Sequence, residues 1–178
     1  MTIRDAVESD LPAIIAIYNA SIPSRMATAD LEPVSVDSRL AWFAEHSPTR
    51  RPLWVMEIDG WVAGWLSFRS FYGRPAYQAT AELGIYVDPT YQCSGVGRQL
   101  LSRAIEQSPT LNLKTLLGFI FAHNHPSLLL FEKFGFQRWG YLPEVAELDG
   151  IERDLMIMGR KIEVGIRKLG EDETGGKR

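Results

Sequence analysis

The sequence predicts an α/β fold of the mixed α+β kind, with a mixed sheet carrying helices on its faces. Three observations predict it. The chain has 178 residues, room for one domain and no second catalytic one. With 46% hydrophobic and 23% charged residues, it has the apolar surface for a core. Hydrophobic patterns then alternate as strand, helix, helix, three strands, helix, strand, helix and two strands, with no internal repeat. The domain is read as residues 1–162, followed by a polar tail over 163–178 that frays toward its end.

Thr2 to Asp5 is a short strand. Asp10 as N-cap and Pro12 in a first turn open a helix whose Leu11, Ile14, Ile15 and Tyr18 share one face. Ser21 to Pro33, with two prolines and no period, reads as a loop placed to close over a site. Val36 to His46 is a weaker amphipathic helix carrying Leu40, Trp42 and Phe43. Leu53 to Ile58 and Trp61 to Phe68 flank Asp59-Gly60, a two-residue hairpin signal. Phe71 to Gln78 is a connection, and Thr80 to Val87 a strand ended by Asp88-Pro89. Gln92 to Gly97 forms a glycine-rich turn into a helix with Leu100, Leu101, Ala104 and Ile105 at helical spacing. Thr115 to Phe121 is a buried strand, Pro126 to Phe134 a helix stopped by Gly135, and Phe136 to Tyr141 and Glu152 to Met158 two late strands. Trp42, Trp54, Trp61, Trp65 and Trp139 are expected in the core.

Nineteen basic against 22 acidic residues, a net charge of −3, leave no global positive field for nucleic acid or an anionic membrane. One cysteine, Cys93, excludes an internal disulfide and a cysteine-rich metal site, which makes the cytoplasm the default compartment. The N-terminus has no apolar signal core, and no apolar run approaches the roughly 18 residues of a membrane helix. His46, His123 and His125 lack a ligand spacing with carboxylates, so no metal is assigned.

A strand that ends and a helix that begins across glycines leaves unpaired N–H groups at the positive end of a helix dipole, which suits a phosphate. Gly95 and Gly97 allow close approach of main chain, and Arg98 adds charge at the rim. No Gly-Lys-Ser/Thr follows, which excludes a Walker A loop, and Leu100 stands where a dinucleotide fingerprint needs its third glycine. The same glycines also suit a plain tight turn, and spacing alone leaves both readings open.

Glu82-Leu83-Gly84-Ile85-Tyr86-Val87-Asp88-Pro89, then Gln92-Cys93-Ser94-Gly95-Val96-Gly97, and later Asn124-His125-Pro126-Ser127 leading to Leu130-Phe131-Glu132-Lys133-Phe134-Gly135-Phe136, occur in that order. Together they resemble the GCN5-related N-acetyltransferase (GNAT) superfamily. Arg74-Pro75-Ala76-Tyr77 shortly before Glu82, with Leu31-Glu32-Pro33 in the early loop, is similar to its phosphinothricin acetyltransferase branch. The resemblance covers roughly Ile3 to Ile162. It implies a GNAT-like acyl-CoA N-acyltransferase fold with a central, mostly antiparallel twisted sheet flanked by helices. It implies acetyl-CoA as co-substrate in a V-shaped gap, with Ile85, Tyr86 and Val87 presenting main chain to the pantetheine and thioester. Gln92, Cys93, Ser94, Gly95, Val96, Gly97 and Arg98 then take the pyrophosphate, and Asn124, with Ser127 one turn on, contacts the pantetheine arm. The branch also suggests a homodimer.

Transfer of acetyl from a thioester to an amine needs a neutral nucleophile, a polarised carbonyl and a departing thiolate, without a metal or covalent intermediate. Glu82 is the candidate base, since a carboxylate beside a desolvated pocket has its pKa raised. Spacing alone reads it as an exposed strand glutamate, and the resemblance reverses that preference. The Val87 N–H is the oxyanion partner that the resemblance implies. Phe131 stands where many superfamily members place a tyrosine acid, and it cannot donate a proton. Solvent suffices for a thiol with a pKa near 8.5, and Tyr86 is the alternative donor. Arg74 and Tyr77 suit a substrate carboxylate, or equally a solvated loop. The resulting expectation is an acetyl-CoA-dependent N-acetyltransferase acting on a small amine, an amino acid or an analogue such as phosphinothricin or methionine sulfoximine. Its competitors are a protein or peptide N-acetyltransferase and a non-catalytic acyl-CoA sensor.

Overall fold

The computed structural model describes residues 1–163, so the expected tail beyond Glu163 lies outside the described residues. Its elements are β1 (Thr2–Asp5), α1 (Leu11–Ser21), α2 (Leu40–Ala44), β2 (Leu53–Ile58), β3 (Trp61–Ser70), β4 (Thr80–Val87), α3 (Val96–Gln107), β5 (Thr115–Phe121), α4 (His125–Lys133), β6 (Gln137–Leu148) and β7 (Ile151–Lys161). The strands form one seven-stranded sheet in the order β1-β2-β3-β4-β5-β7-β6. All neighbours are antiparallel except β4 and β5. This is the mixed sheet that the sequence pattern predicts, mostly antiparallel as the resemblance implies.

Two apolar layers follow from the strand alternation. On one face Leu66, Phe68, Ala81 and Leu83 meet Leu100, Leu101 and Ala104 of α3 and Leu128 and Phe131 of α4. On the other face Val55 and Trp65 meet Ile14 and Ile17 of α1, with Trp42 and Phe43 of α2 packed against them. Trp54 and Trp65 are buried as expected, whereas Trp61, at the turn end of the β2–β3 hairpin, is 72% exposed and Trp139, on edge strand β6, is 43% exposed. Trp139 lies across Gly159 of β7, where the missing side chain leaves room for the indole.

Three local expectations need correction. Asp10 precedes α1, but its carboxylate does not cap that helix. It accepts from both Arg4 Nη atoms, at 2.7 and 2.9 Å, and from the Val7 N–H at 2.8 Å, because a nearby cation competes for it. The Val36 to His46 helix shrinks to a 3-10 turn over Asp37–Arg39 and the five residues of α2, since Leu40 faces solvent and only Trp42 and Phe43 have apolar partners. The two late strands run on through Tyr141 and back to Ile151. Asp149-Gly150, at φ 53° and 77°, makes the same kind of turn as Asp59-Gly60 at 51° and 82°. Pro143 sits in a ladder interruption between Leu142 and Ala146, where a missing N–H costs no hydrogen bond.

Candidate functional site

The parallel pairing of β4 and β5 covers only Thr80 to Glu82 against Thr115 to Leu117. Beyond Glu82, β4 stays laddered to β3 as far as Val87, and β5 stays laddered to β7 as far as Phe121. The inner edges of both strands therefore face each other across a gap without a strand between them. A strand-like ligand with alternating amides fits such a gap, because it meets the donors and acceptors the ladder leaves open.

Side-chain alternation divides the lips of the gap. Ile85 and Val87 point toward α3 and α4, where a Cβ added at Gly97 would stand at ordinary contact distance from both and from Leu130. Glu82 and Tyr86 stand on the α1 face. The Glu82 carboxyl is half-buried, and this loss of water raises its pKa, with Arg69 opposing. Arg69 is its cross-strand partner, with Nη1 3.7 Å from Oε1.

At the wide end, Asp88 caps the turn by accepting from the Thr90 N–H at 2.8 Å. Cys93 at φ 62° and Gly95 at φ 82° swing the chain into α3. The first hydrogen bond of that helix runs from Gln99 N to Gly95 O at 3.0 Å, so the N–H groups of Val96, Gly97 and Arg98 precede it. Gln92, Cys93, Ser94 and Arg98 are exposed, while the Val96 side chain is buried against Gly64 and offers a ligand only its main chain. Open N–H groups at a helix start, beside a glycine with no atom within 4 Å of its absent Cβ, fit the pyrophosphate of an acyl-CoA.

The early loop crosses the α1 side of the gap. His123 Nε2 lies 2.8 Å from the Arg25 carbonyl, Asn124 Nδ2 donates to the Met26 carbonyl at 2.9 Å, and the Tyr86 hydroxyl donates to the Ala27 carbonyl at 3.2 Å. The Tyr18 hydroxyl joins Thr28 and Asp30, and Arg39 donates to Asp30 at 2.9 Å. Tyr86 also stacks on Trp65, centroids 4.5 Å apart, and burial pushes its hydroxyl pKa up. Asn124, expected on the cofactor arm, has both side-chain ends committed to protein, its Oδ1 capping α4 through the Ser127 N–H at 3.2 Å.

Arg74 and Tyr77 are exposed on the connection between β3 and β4, lining a hollow with Arg50, Arg51, Ser70, Phe71, Gly73 and Gln78. They share a wall with the hollow beside Arg69, but the Glu82 ion contact is to Arg69 rather than Arg74. Phe131 is 5% exposed, its ring over Gly118 and edge-on to Phe136. Among the described residues no group of three or more His, Cys, Asp or Glu side chains is placed to hold a metal ion, and no helix is long and apolar enough to cross a membrane. Nothing in the sequence alone marks Arg69, Tyr18, Thr28, Asp30 or His123 as part of this gap. The register that sets Arg69 opposite Glu82 depends on the irregular connection between their strands.

The model of the acetyltransferase (GNAT) family matches residues 14–136. A Bacillus subtilis protein, the "putative phosphinothricin acetyltransferase", is 52% identical over 163 residues, covering 91% of this chain and 99% of that protein. The L-methionine sulfoximine/L-methionine sulfone acetyltransferase of Salmonella typhimurium is 33% identical over 158 residues, 89% of this chain and 92% of the relative. The crystal structure of a GNAT superfamily phosphinothricin acetyltransferase from Sinorhizobium meliloti in complex with AcCoA aligns with a TM-score of 0.85 at 28% identity, over 90% of this chain and 88% of that one.

Proposed function

The chain belongs to the acetyltransferase (GNAT) family, and we propose that it moves acetyl from acetyl-CoA directly to the amine of a small amino acid or analogue of the phosphinothricin or methionine sulfoximine kind. The observation that carries this reading is the splayed β4–β5 gap. It has a glycine-rich helix start at its wide end and a desolvated carboxylate, Glu82, where the strands part.

In this reading the pantetheine arm lies along Ile85, Tyr86 and Val87 and the pyrophosphate meets the N–H groups of the turn Gln92, Cys93, Ser94, Gly95, Val96 and Gly97, with Arg98 at the rim. Glu82, directly or through one water, takes a proton from the substrate ammonium. The freed amine attacks the thioester carbonyl, and the Val87 N–H steadies the oxyanion that forms. Collapse expels the coenzyme A thiolate, and the second proton, shed by the nitrogen as it becomes an amide, reaches the thiolate through solvent, since Phe131 has none to give and the Tyr86 hydroxyl is bonded to Ala27. Asn124 and Ser127 act by holding the early loop and the start of α4 against the arm. Arg74 and Tyr77 receive the acceptor's carboxylate through the guanidinium fork.

Residues 1–162 form the catalytic domain, working as a cytoplasmic homodimer. Thiol release from acetyl-CoA, scanned over phosphinothricin, methionine sulfoximine, methionine sulfone, free amino acids, polyamines and short peptides, tests the proposal. Turnover concentrated in the amino-acid group supports it. Turnover confined to peptides assigns the enzyme to protein acetylation instead.

A further inference from the structure

Glu82 is exposed over only part of its side chain, with 27% of it accessible. Among the described residues Arg69 is the one cation within 4 Å of it. The two stand directly opposite across the β3–β4 ladder, so their approach is fixed by main-chain pairing. On the other flank of β4, the register partner of Glu82 in β5 is the apolar Leu117. From the α2 side, Glu45 and His46 line the 140 Å³ hollow next to Arg69, together with the buried Arg51. His46 is held by the Trp42 carbonyl, 2.9 Å from its Nδ1, and burial lowers its pKa, so it brings little positive charge toward Glu82 near neutral pH. Arg51 is occupied by the Arg50, Gln78 and Thr80 carbonyls.

We infer that Arg69 is a positioning residue for the reaction, whose guanidinium keeps the Glu82 carboxylate ionised and turned along the sheet toward the acceptor amine. The inference rests on the reading of Glu82 as the base. The geometry suits that role, since at 3.7 Å the pair attracts without a direct hydrogen bond that would occupy the carboxylate lone pairs needed for the incoming proton. Burial alone drives Glu82 toward its neutral form, in which it accepts no proton, and the facing cation opposes that drive. Arg69 itself is 58% accessible, so it retains hydration while carrying its charge.

Two measurements separate this inference from the one beneath it. In protein carrying 13C at the glutamate carboxyls, Glu82→Gln identifies the Glu82 resonance, and its titration is followed in wild type, Arg69→Met and Arg69→Lys. Removing the cation raises the Glu82 midpoint by roughly half to one pH unit, as expected for a partly screened charge at this distance, and lysine returns it toward the wild-type value. Equal midpoints in wild type and Arg69→Met overturn the inference whether or not the variant turns over. The acid limb of kcat/KM, measured with the best acceptor, follows the same shift in Arg69→Met. A limb that survives unchanged in Glu82→Gln overturns instead the assignment of Glu82 as base. Should Arg69→Met fold poorly, Arg69→Lys against Arg69→Gln supplies the same comparison.

Discussion

Asn124 and Met26, 98 residues apart in the chain, are joined by a hydrogen bond from the Asn124 side-chain amide to the Met26 carbonyl at 2.9 Å. Asn124 is 7% exposed, and its other end caps α4. One side chain therefore ties the loop across the gap to the helix beside it. Asn124→Ala leaves a carbonyl and an N–H unpaired and is expected to cost about 1–3 kcal/mol of unfolding free energy. Asn124→Asp keeps the cap acceptor but loses the donor, so it is expected to retain more of the stability while raising the KM for the amine as much as alanine does. Denaturant melts and steady-state kinetics of the two variants check this, and an unchanged amine KM in both excludes a role for the tie in closing the site.

Glu82→Gln is expected to separate stability from activity. The folded pKa of Glu82 lies above its ordinary value because burial disfavours the charge. The folded state thus holds this proton more tightly than the unfolded chain does. Its contribution to stability is intact below the ordinary glutamate range and falls as pH rises through the folded value, the reverse of a paired carboxylate. Activity runs the other way, rising as the base ionises over the same window. Glutamine is expected to lower kcat/KM by roughly 10²-fold or more, within the usual range for loss of a general base, while leaving stability at neutral pH equal or improved. Melts and pH–rate profiles taken on the same samples check both slopes.

The sequence carried the parts of this molecule set by local rules. Asp59-Gly60 dictated a hairpin, the spacing of Leu100, Leu101 and Ala104 dictated the buried face of α3, and the words around Glu82, Gly95 and Phe131 carried the family. The long β6–β7 hairpin was illegible because Pro143 and the polar run after it mimic a loop, although Asp149-Gly150 held the same turn signal. The contacts that complete the candidate site are nonlocal. Nothing in one sequence links Tyr18 to Thr28 and Asp30, or Arg69 to Glu82, until the loop is folded over the sheet and the register of β3 against β4 is known. Asn124 shows the same nonlocality, since its bond to the Met26 carbonyl 98 residues away exists only once the early loop is folded against α4.

Gly118 is expected to be intolerant of even one methyl group. A Cβ there meets Phe131 Cε1 at 2.5 Å, with two more ring atoms at 3.1 Å, and the ring is wedged against Phe136 in the core. Gly118→Ala should destabilise by roughly 1–3 kcal/mol through overpacking. Adding Phe131→Leu, which removes part of the ring, should recover a portion of that loss, giving a coupling that a double-mutant cycle measures. Additive losses place the cost in the strand itself instead of the ring contact.

Gly95 separates the demands of backbone conformation from those of space. Its φ of 82° is strained for a side chain, yet no atom lies within 4 Å of the Cβ it lacks. Gly95→Ala therefore meets no clash in the free protein and is expected to cost about 1 kcal/mol of left-handed strain, with asparagine costing less. In the proposed complex the same methyl stands where the main chain meets the pyrophosphate. The KM for acetyl-CoA is expected to rise several-fold beyond any stability effect, with the amine KM little changed. Cys93→Ala removes an exposed thiol on the same turn but keeps the main-chain N–H proposed to meet the pyrophosphate, so its KM for acetyl-CoA should rise less than that of Gly95→Ala. Initial rates with each substrate varied in turn decide the point, and a Gly95→Ala penalty shared equally between the two Michaelis constants places the turn outside direct contact with the coenzyme.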